Sequence, residues 1–263
     1  MLLKGFNGLN YQESIEKLFL IVNKKGQVVP FKLNEPQLRT LNSLIGRNYI
    51  LKARQEGISS LILAMFTIDF LTVENSSSVV ISHETGATQK LLDKVKFYLD
   101  SLKTTFPGQL PYKLKYDTKN EISNETNGSK FYIGTAGARA FGRGVTIQNL
   151  HVSELNFYQD QERIMLGLLQ AVPAEGKIFI ETTANGVGNF GHSLWNKAQN
   201  NDTIFNPIFL PWYLMKEYSY PIHQGFQLPL EIFFEKRHQG VHLKRRPPPV
   251  FGREGIDRQD LDS

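Results

Sequence analysis

Short apolar runs alternating with helical patterns leave this chain few architectures. "NYILKA", "SSVVISH", "KFYIGTA", "TIQNLHVSEL", "GKIFIETTANG" and "NPIFLPWY" read as strands rich in β-branched and aromatic residues. Between them lie helix signals. "ISSLILAMFTIDFLTV" is apolar almost all round and reads as a mostly buried helix. "TGATQKLLDKVKFYLDSLKTTF" carries one apolar face, with Leu91, Leu92, Val95, Tyr98, Leu99 and Leu102 at helical spacing. "QERIMLGLLQAV" is a third helix. Strands alternating with helices predict an α/β fold with a mainly parallel central sheet flanked by helices. In such sheets ligands bind beyond the carboxyl ends of the strands. Three of these ends carry polar residues: after Ala53, after Val152 and after Ile180.

Composition narrows the class. Of 263 residues, 41% are hydrophobic and 21% charged, enough for a sizeable core. The longest apolar run, "SSLILAMFTIDFL", is shorter than the roughly 18 residues of a membrane span and contains Asp69. The first residues lack the plan of a signal peptide. With no cysteine, disulfides, zinc ribbons and thiol catalysis are excluded, and a reducing cytosol fits. A net charge of +5 is compatible with a polyanionic partner without establishing one.

The chain divides into three parts. Residues 1–33 hold a short helix and a hairpin turning at Gly26, expected to pack on the core. Residues 34–228 form the main domain, opened by Asn34 as helix N-cap and Pro36 in the first turn. Residues 229–263 read as a helix, Leu230 to His238, followed by an unpatterned, disordered tail containing "RRPPP".

Each polar strand end has a chemical reading. "KARQEGISS" comes close to the phosphate-binding loop G-x-x-x-x-G-K-S/T, but Ile58 stands where that loop has lysine. Gly57 permits close backbone approach, and Ser59 occupies the position of the hydroxyl that holds Mg²⁺. Lys52 or Arg54 could supply the missing charge; the bland alternative is a serine-capped glycine turn. "NLHVSEL" is an apolar strand closing on acid, with Ser153-Glu154 in place of Asp-Glu and Glu154 as candidate base. "IFIETTANG" brings Thr182, Thr183 and Asn185 to the same edge, where they could sense a γ-phosphate; Asn-Gly is also an ordinary turn dipeptide.

Taken together and in this order, the motifs resemble the ATPase half of the large terminase subunit of tailed bacteriophages, the DNA-packaging motor. "KARQEGISS" is similar to that family's divergent Walker A, "LHVSEL" to its Walker B, "ETTANG" to its coupling motif and "FKLNEPQ" to its adenine-reading Q motif. The resemblance runs from about Phe31 to Tyr213. It implies an ASCE-type P-loop NTPase that hydrolyses ATP with Mg²⁺. ATP would be bound by Gln37 and by the loop Lys52, Ala53, Arg54, Gln55, Glu56, Gly57, Ile58, Ser59 and Ser60. Ser59, Ser153 and Glu154 would serve the metal, Glu154 would activate water, and Thr182, Thr183, Ala184, Asn185 and Gly186 would couple hydrolysis to movement. Arg139 and Arg143, in "GARAFGRG", become candidate arginine fingers for a neighbouring subunit.

The implied partners are double-stranded DNA, a viral portal protein and a small terminase subunit. The implied setting is host cytoplasm, with no membrane, and a homo-oligomeric ring when active but a monomer when isolated. Large terminases normally carry a nuclease domain as well, which the chain is too short to hold, so an isolated motor domain, a split gene or a truncation is expected. Asp257, Asp260 and Asp262 lie in the unpatterned tail and are not expected to cut DNA. His83 and His151 read as structural, Trp195 and Trp212 as packing residues. Lys24, Lys25, Lys113, Lys115, Lys119 and Lys244 to Arg246 could meet DNA or simply form a solvated face. Two rivals stand beside the motor: a helicase-like ATPase, and an inactive assembly module binding portal or DNA.

Overall fold

A computed structural model describes residues 10–108, 110, 112–135 and 146–218, together with the backbone of 234–237 and 240–243. Its contacts divide the chain into two units, Met1–Tyr218 and Ser219–Ser263.

The first unit is built on one eight-stranded sheet. In chain order the elements are α1 (Tyr11–Leu18), β1 (Leu20–Val22), β2 (Val28–Pro30), α2 (Glu35–Ser43), β3 (Arg47–Lys52), α3 (Ile58–Thr72), β4 (Ser77–Ser82), α4 (Thr85–Thr105), β5 (Leu114–Asp117), β6 (Glu121–Asn124), β7 (Lys130–Thr135), β8 (Asn149–Ser153), α5 (Gln161–Leu169), β9 (Lys177–Thr182), α6 (Phe190–Gln199) and β10 (Asn206–Leu210). The sheet order is β10-β3-β9-β8-β4-β7-β6-β5. All neighbours from β10 to β7 are parallel. The last two pairings are antiparallel, a hairpin on the far edge that the sequence reading did not separate from its surroundings. The small hairpin β1–β2 forms as expected.

Two cores sandwich the sheet. One packs α1, α3 and α4 against it, and the other packs α5 and α6 against the opposite face. Helix α3 is buried from Leu61 to Leu71 because it lies against the sheet and is covered by α1, α2 and α4. This explains its lack of a polar stripe. The six predicted face residues of α4 are all buried. Helix α6, not foreseen, starts at the Asn189 N-cap and packs Trp195 edge-on against Tyr49, with ring centroids 5.6 Å apart.

The second unit corrects one expectation. Leu230 to His238 was expected to be helical, but Phe234–Arg237 is a strand, β11, paired antiparallel with β12 (Gly240–Leu243). The register sets Arg237 opposite Gly240, leaving two residues between the strands. An isolated helix of that length is marginal, and a tight hairpin next to a glycine competes well with it.

Candidate active site

The sheet order decides which side chains meet. Strand β9 lies between β3 and β8, so three loops open side by side at one carboxyl edge. In register, Thr182 lies beside Leu51, and Glu181 lies beside Ser153.

The first loop joins β3 to α3. It needs left-handed backbone at Gln55 (φ 59°) and at Gly57 (φ 78°). A Cβ at Gly57 would also lie 2.8 Å from the Gln37 side-chain nitrogen, so Gln37 would have to shift. Gly57 is the N-cap of α3 with no side chain capping it, which leaves backbone N–H groups of the first turn pointing out of the helix. Such a terminus binds anions. A clamp holds the loop from behind. Gln37 Nε2 donates to the Gly57 carbonyl at 2.8 Å, and Asn34 Nδ2 donates to the Glu56 carbonyl at 3.1 Å. Asn34 and Gln37 are themselves locked in a reciprocal capping box at the start of α2. Gln37, assigned to adenine, is buried here and engaged with the loop backbone. Arg54 is exposed, and its carbonyl accepts a 2.8 Å bond from the Tyr218 hydroxyl.

Beside this loop sits a charge cluster. Lys52 Nζ lies 2.8 Å from Glu154 Oε1 and 3.0 Å from Glu181 Oε2. The other oxygen of Glu181 accepts from Ser59 Oγ at 2.6 Å and Ser153 Oγ at 2.8 Å, and lies 3.3 Å from His151 Nε2. The other oxygen of Glu154 accepts from the Thr183 amide at 3.1 Å and its hydroxyl at 3.3 Å. Burial opposes ionisation of Glu181, but the Lys52 ammonium and the bonds from His151 and Ser59 outweigh it and hold its carboxyl well below the usual carboxylate range. Burial likewise opposes the charge on Lys52, and the two carboxylates overcome it and raise the ammonium above its ordinary value.

Glu154 has left-handed backbone, φ 60° and ψ 49°, which is uncommon outside glycine. Its amide donates to the Glu181 carbonyl at 2.7 Å, fixing this conformation. Strain of this kind costs roughly 1–3 kcal/mol and recurs at functional sites. A cavity of about 380 Å³ opens over the cluster, lined by Lys52, Arg54, Gln55, His83, Glu154, Phe157 and Thr183.

The structure therefore brings Lys52, Arg54, Gln55, Glu154 and Thr183 to one cavity. Ser59 and Ser153 lie behind it, both donating to Glu181. Ile58 is buried and takes its place in the core. The Ser60 hydroxyl accepts from Lys94 Nζ at 3.0 Å. Thr182 receives the Asn156 amide, and Asn185 donates to the Asn156 carbonyl, tying the turn after β9 to the segment after β8. Ala184 and Gly186 sit in that exposed turn. Arg139, Arg143, Lys244 to Arg246 and the aspartates at 257, 260 and 262 lie outside the described residues. The sequence reading missed Glu181 altogether and missed the contact between His151 and Glu181. The available signal was a glutamate near the end of an otherwise apolar strand, one residue before the threonines.

A glycine loop after β3, an acidic end on β8 and a strand between them are arranged as in the P-loop NTPase fold. Comparison with solved structures makes the fold more specific: it is that of the ATPase domain of phage large terminases. The HK97 bacteriophage large terminase superimposes with a TM-score of 0.60 at 12% identity, covering 77% of this chain and 43% of that one. The Thermus phage P74-26 large terminase ATPase domain gives 0.56 at 16% identity, covering 71% and 84%. The large terminase of a thermophilic bacteriophage gives 0.53 at 12% identity, covering 69% and 46%. That last protein has also been solved with ADP and with ATP-gamma-S. This chain thus spans less than half the length of the two whole terminases. No protein-family model and no characterised protein sequence matches it.

Proposed function

We propose that this chain is the ATP-hydrolysing motor domain of a viral large terminase, coupling hydrolysis to movement of double-stranded DNA into a capsid. One observation carries the reading: a lysine, a strained glutamate and a hydroxyl face one cavity beside an uncapped helix N-terminus. The terminase fold supports it.

In this reading the free amides of the α3 N-terminus and Lys52 receive the phosphates, and Arg54 reaches them from the rim. Glu154 Oε2, held by Thr183, takes the proton of the attacking water. The αL turn and the Thr183 bonds spare it the reorganisation a free carboxylate would need. A shift in Thr183 on loss of the γ-phosphate would pass along the Asn156–Thr182–Asn185 bonds into the turn after β9.

Mg²⁺ bound with the nucleotide would neutralise charge on the phosphate oxygens. The Ser59 hydroxyl, which donates to the Glu181 carboxylate at 2.6 Å, would hold it through its free lone pairs. Mg²⁺ is commonly held by few protein oxygens plus phosphates and water. Portal protein, small terminase subunit, a ring of subunits and host cytoplasm belong to the same proposal. No described helix is long and apolar enough to cross a membrane.

The direct test is ATP turnover by the purified chain with and without Mg²⁺, next to Glu154→Gln. Turnover abolished by the substitution, with nucleotide still bound, is expected. Failure of the unaltered chain to bind ATP would discard the motor reading in favour of an assembly module. Unwinding of a forked duplex would favour a helicase.

A further inference from the structure

Position 153, at the end of the acidic strand, holds a serine where this class of site needs a metal-organising carboxylate. We infer that Glu181, reaching across from β9, supplies that carboxylate and is the positioning residue for the metal-binding hydroxyl of Ser59. This rests on the nucleotide-hydrolysing reading above.

Four features carry it. The register sets Glu181 directly beside Ser153, so its side chain can occupy the space a carboxylate on residue 153 would fill. The Ser153 hydroxyl in fact donates to it at 2.8 Å. Ser59, in the first turn of α3, donates to the same oxygen at 2.6 Å, which turns the lone pairs of its hydroxyl away from Glu181. Glu181 is wholly buried and joins the elements of the site: Lys52 lies 3.0 Å from one of its oxygens while shared with Glu154, and His151 Nε2 lies 3.3 Å from the other.

The Glu181 carboxylate does not line the cavity, so it acts through Ser59 and Lys52. Two substitutions seen in the sequence become one rearrangement. The loop cation sits on residue 52 instead of 58, and the acid sits on residue 181 instead of 153. The displaced lysine and the displaced carboxylate meet each other.

The test is binding of a fluorescent ADP analogue to the full chain, measured once with Mg²⁺ and once with EDTA. The ratio of the two affinities is the metal's contribution. Glu181→Gln should reduce that ratio about 10-fold, the lower end of the effect of groups that orient metal ligands, while affinity in EDTA stays within about 3-fold. Ser59→Ala should reduce it equally without touching the ion pairs. Moving the acid back, Ser153→Asp with Glu181→Gln, should restore the ratio, which a merely structural role for Glu181 would not do. An unchanged ratio in Glu181→Gln, or a lost ratio that Ser153→Asp leaves unrestored, overturns the inference. If Glu181→Gln does not fold, an unchanged ratio in Ser59→Ala overturns it alone. A wild-type chain that binds no nucleotide in either buffer instead sinks the motor reading itself.

Discussion

The two ends of the central sheet each set a lysine against a buried carboxylate, and they differ in most else. At the amino end, Asp69 of α3 accepts from the Tyr11 hydroxyl at 2.7 Å, from Lys177 Nζ at 2.8 Å and from Asn149 Nδ2 at 3.0 Å. One acid meets one base, and both carboxylate oxygens are satisfied. This cluster pins α1 and α3 to the starts of β8 and β9. At the carboxyl end, two acids share Lys52, the backbone at Gln55 and Glu154 is strained, and a cavity opens above. Burial of charge therefore does not distinguish a site from a staple. A lysine shared by two carboxylates, strain at one of them and an opening above do.

The sharpest way to break this contrast is to remove one acid from each end. Glu154→Gln should lower ATP turnover by about 10²–10⁴-fold, the usual cost of losing a general base, while leaving nucleotide affinity nearly intact. Turnover within a factor of two of the wild type would remove Glu154 from the mechanism. Asp69→Asn should do the reverse. It weakens the Tyr11 and Lys177 bonds and should cost about 1–2 kcal/mol in denaturant unfolding, less than for a fully buried pair because Lys177 is partly exposed, with turnover per folded molecule unchanged. A loss of turnover without a loss of stability would abolish the distinction between the two ends.

The lysines sharpen it further. Lys52→Ala should weaken ATP binding about 10-fold or more, and Arg54→Ala should weaken binding or turnover less, since Arg54 is exposed. Lys177→Ala should alter neither. If Lys52→Ala, Arg54→Ala and the double variant all bind ATP like the wild type, the loop recruits neither cation.

The smallest effect is a pH dependence confined to the carboxyl end. Glu56 is buried in the loop between β3 and α3, and burial pushes its carboxyl up to about 7, with the Ala53 amide and Lys52 pulling only weakly the other way. The folded chain therefore keeps a proton that the unfolded chain releases near the ordinary carboxylate value. The associated stability is fully present below that value and is lost as pH rises through about 7. Glu56→Gln should raise the melting temperature at pH 8 and lose that advantage by pH 5. An equal shift at both values would show that Glu56 does not titrate in this window. Glu181 has the opposite sign: its depressed carboxyl adds stability above the ordinary carboxylate value, lost as pH falls below it.

Much of this was legible in local sequence. Strands β3, β4, β7, β8, β9 and β10 and helices α1 to α5 follow from apolar period and from local stop signals such as the Asn34 cap. The Lys52, Glu154 and Thr183 positions followed from the three strand ends. The β5–β6 hairpin escaped because it is short, and only its pairing with β7 distinguishes "LKYD" and "EISN" from loop. The β11 strand escaped because "LEIFFEKRH" suits either a helix or a strand, and the pairing with β12 decided it.

The sequence by itself determined that apolar strands end in a glycine loop, a glutamate and a threonine pair, because those patterns are local. Only the tertiary structure decided which residues complete the site. Glu181 lies 27 positions beyond Glu154 and 129 beyond Lys52 in the numbering. It meets both because β9 is inserted between β3 and β8, a choice made by the packing of the whole sheet. Gln37 acts on the loop through the same kind of distant contact, reaching Gly57 across 20 residues. Side-chain chemistry can be read along a chain, but the neighbours that tune it are set by strand order, which no local pattern encodes.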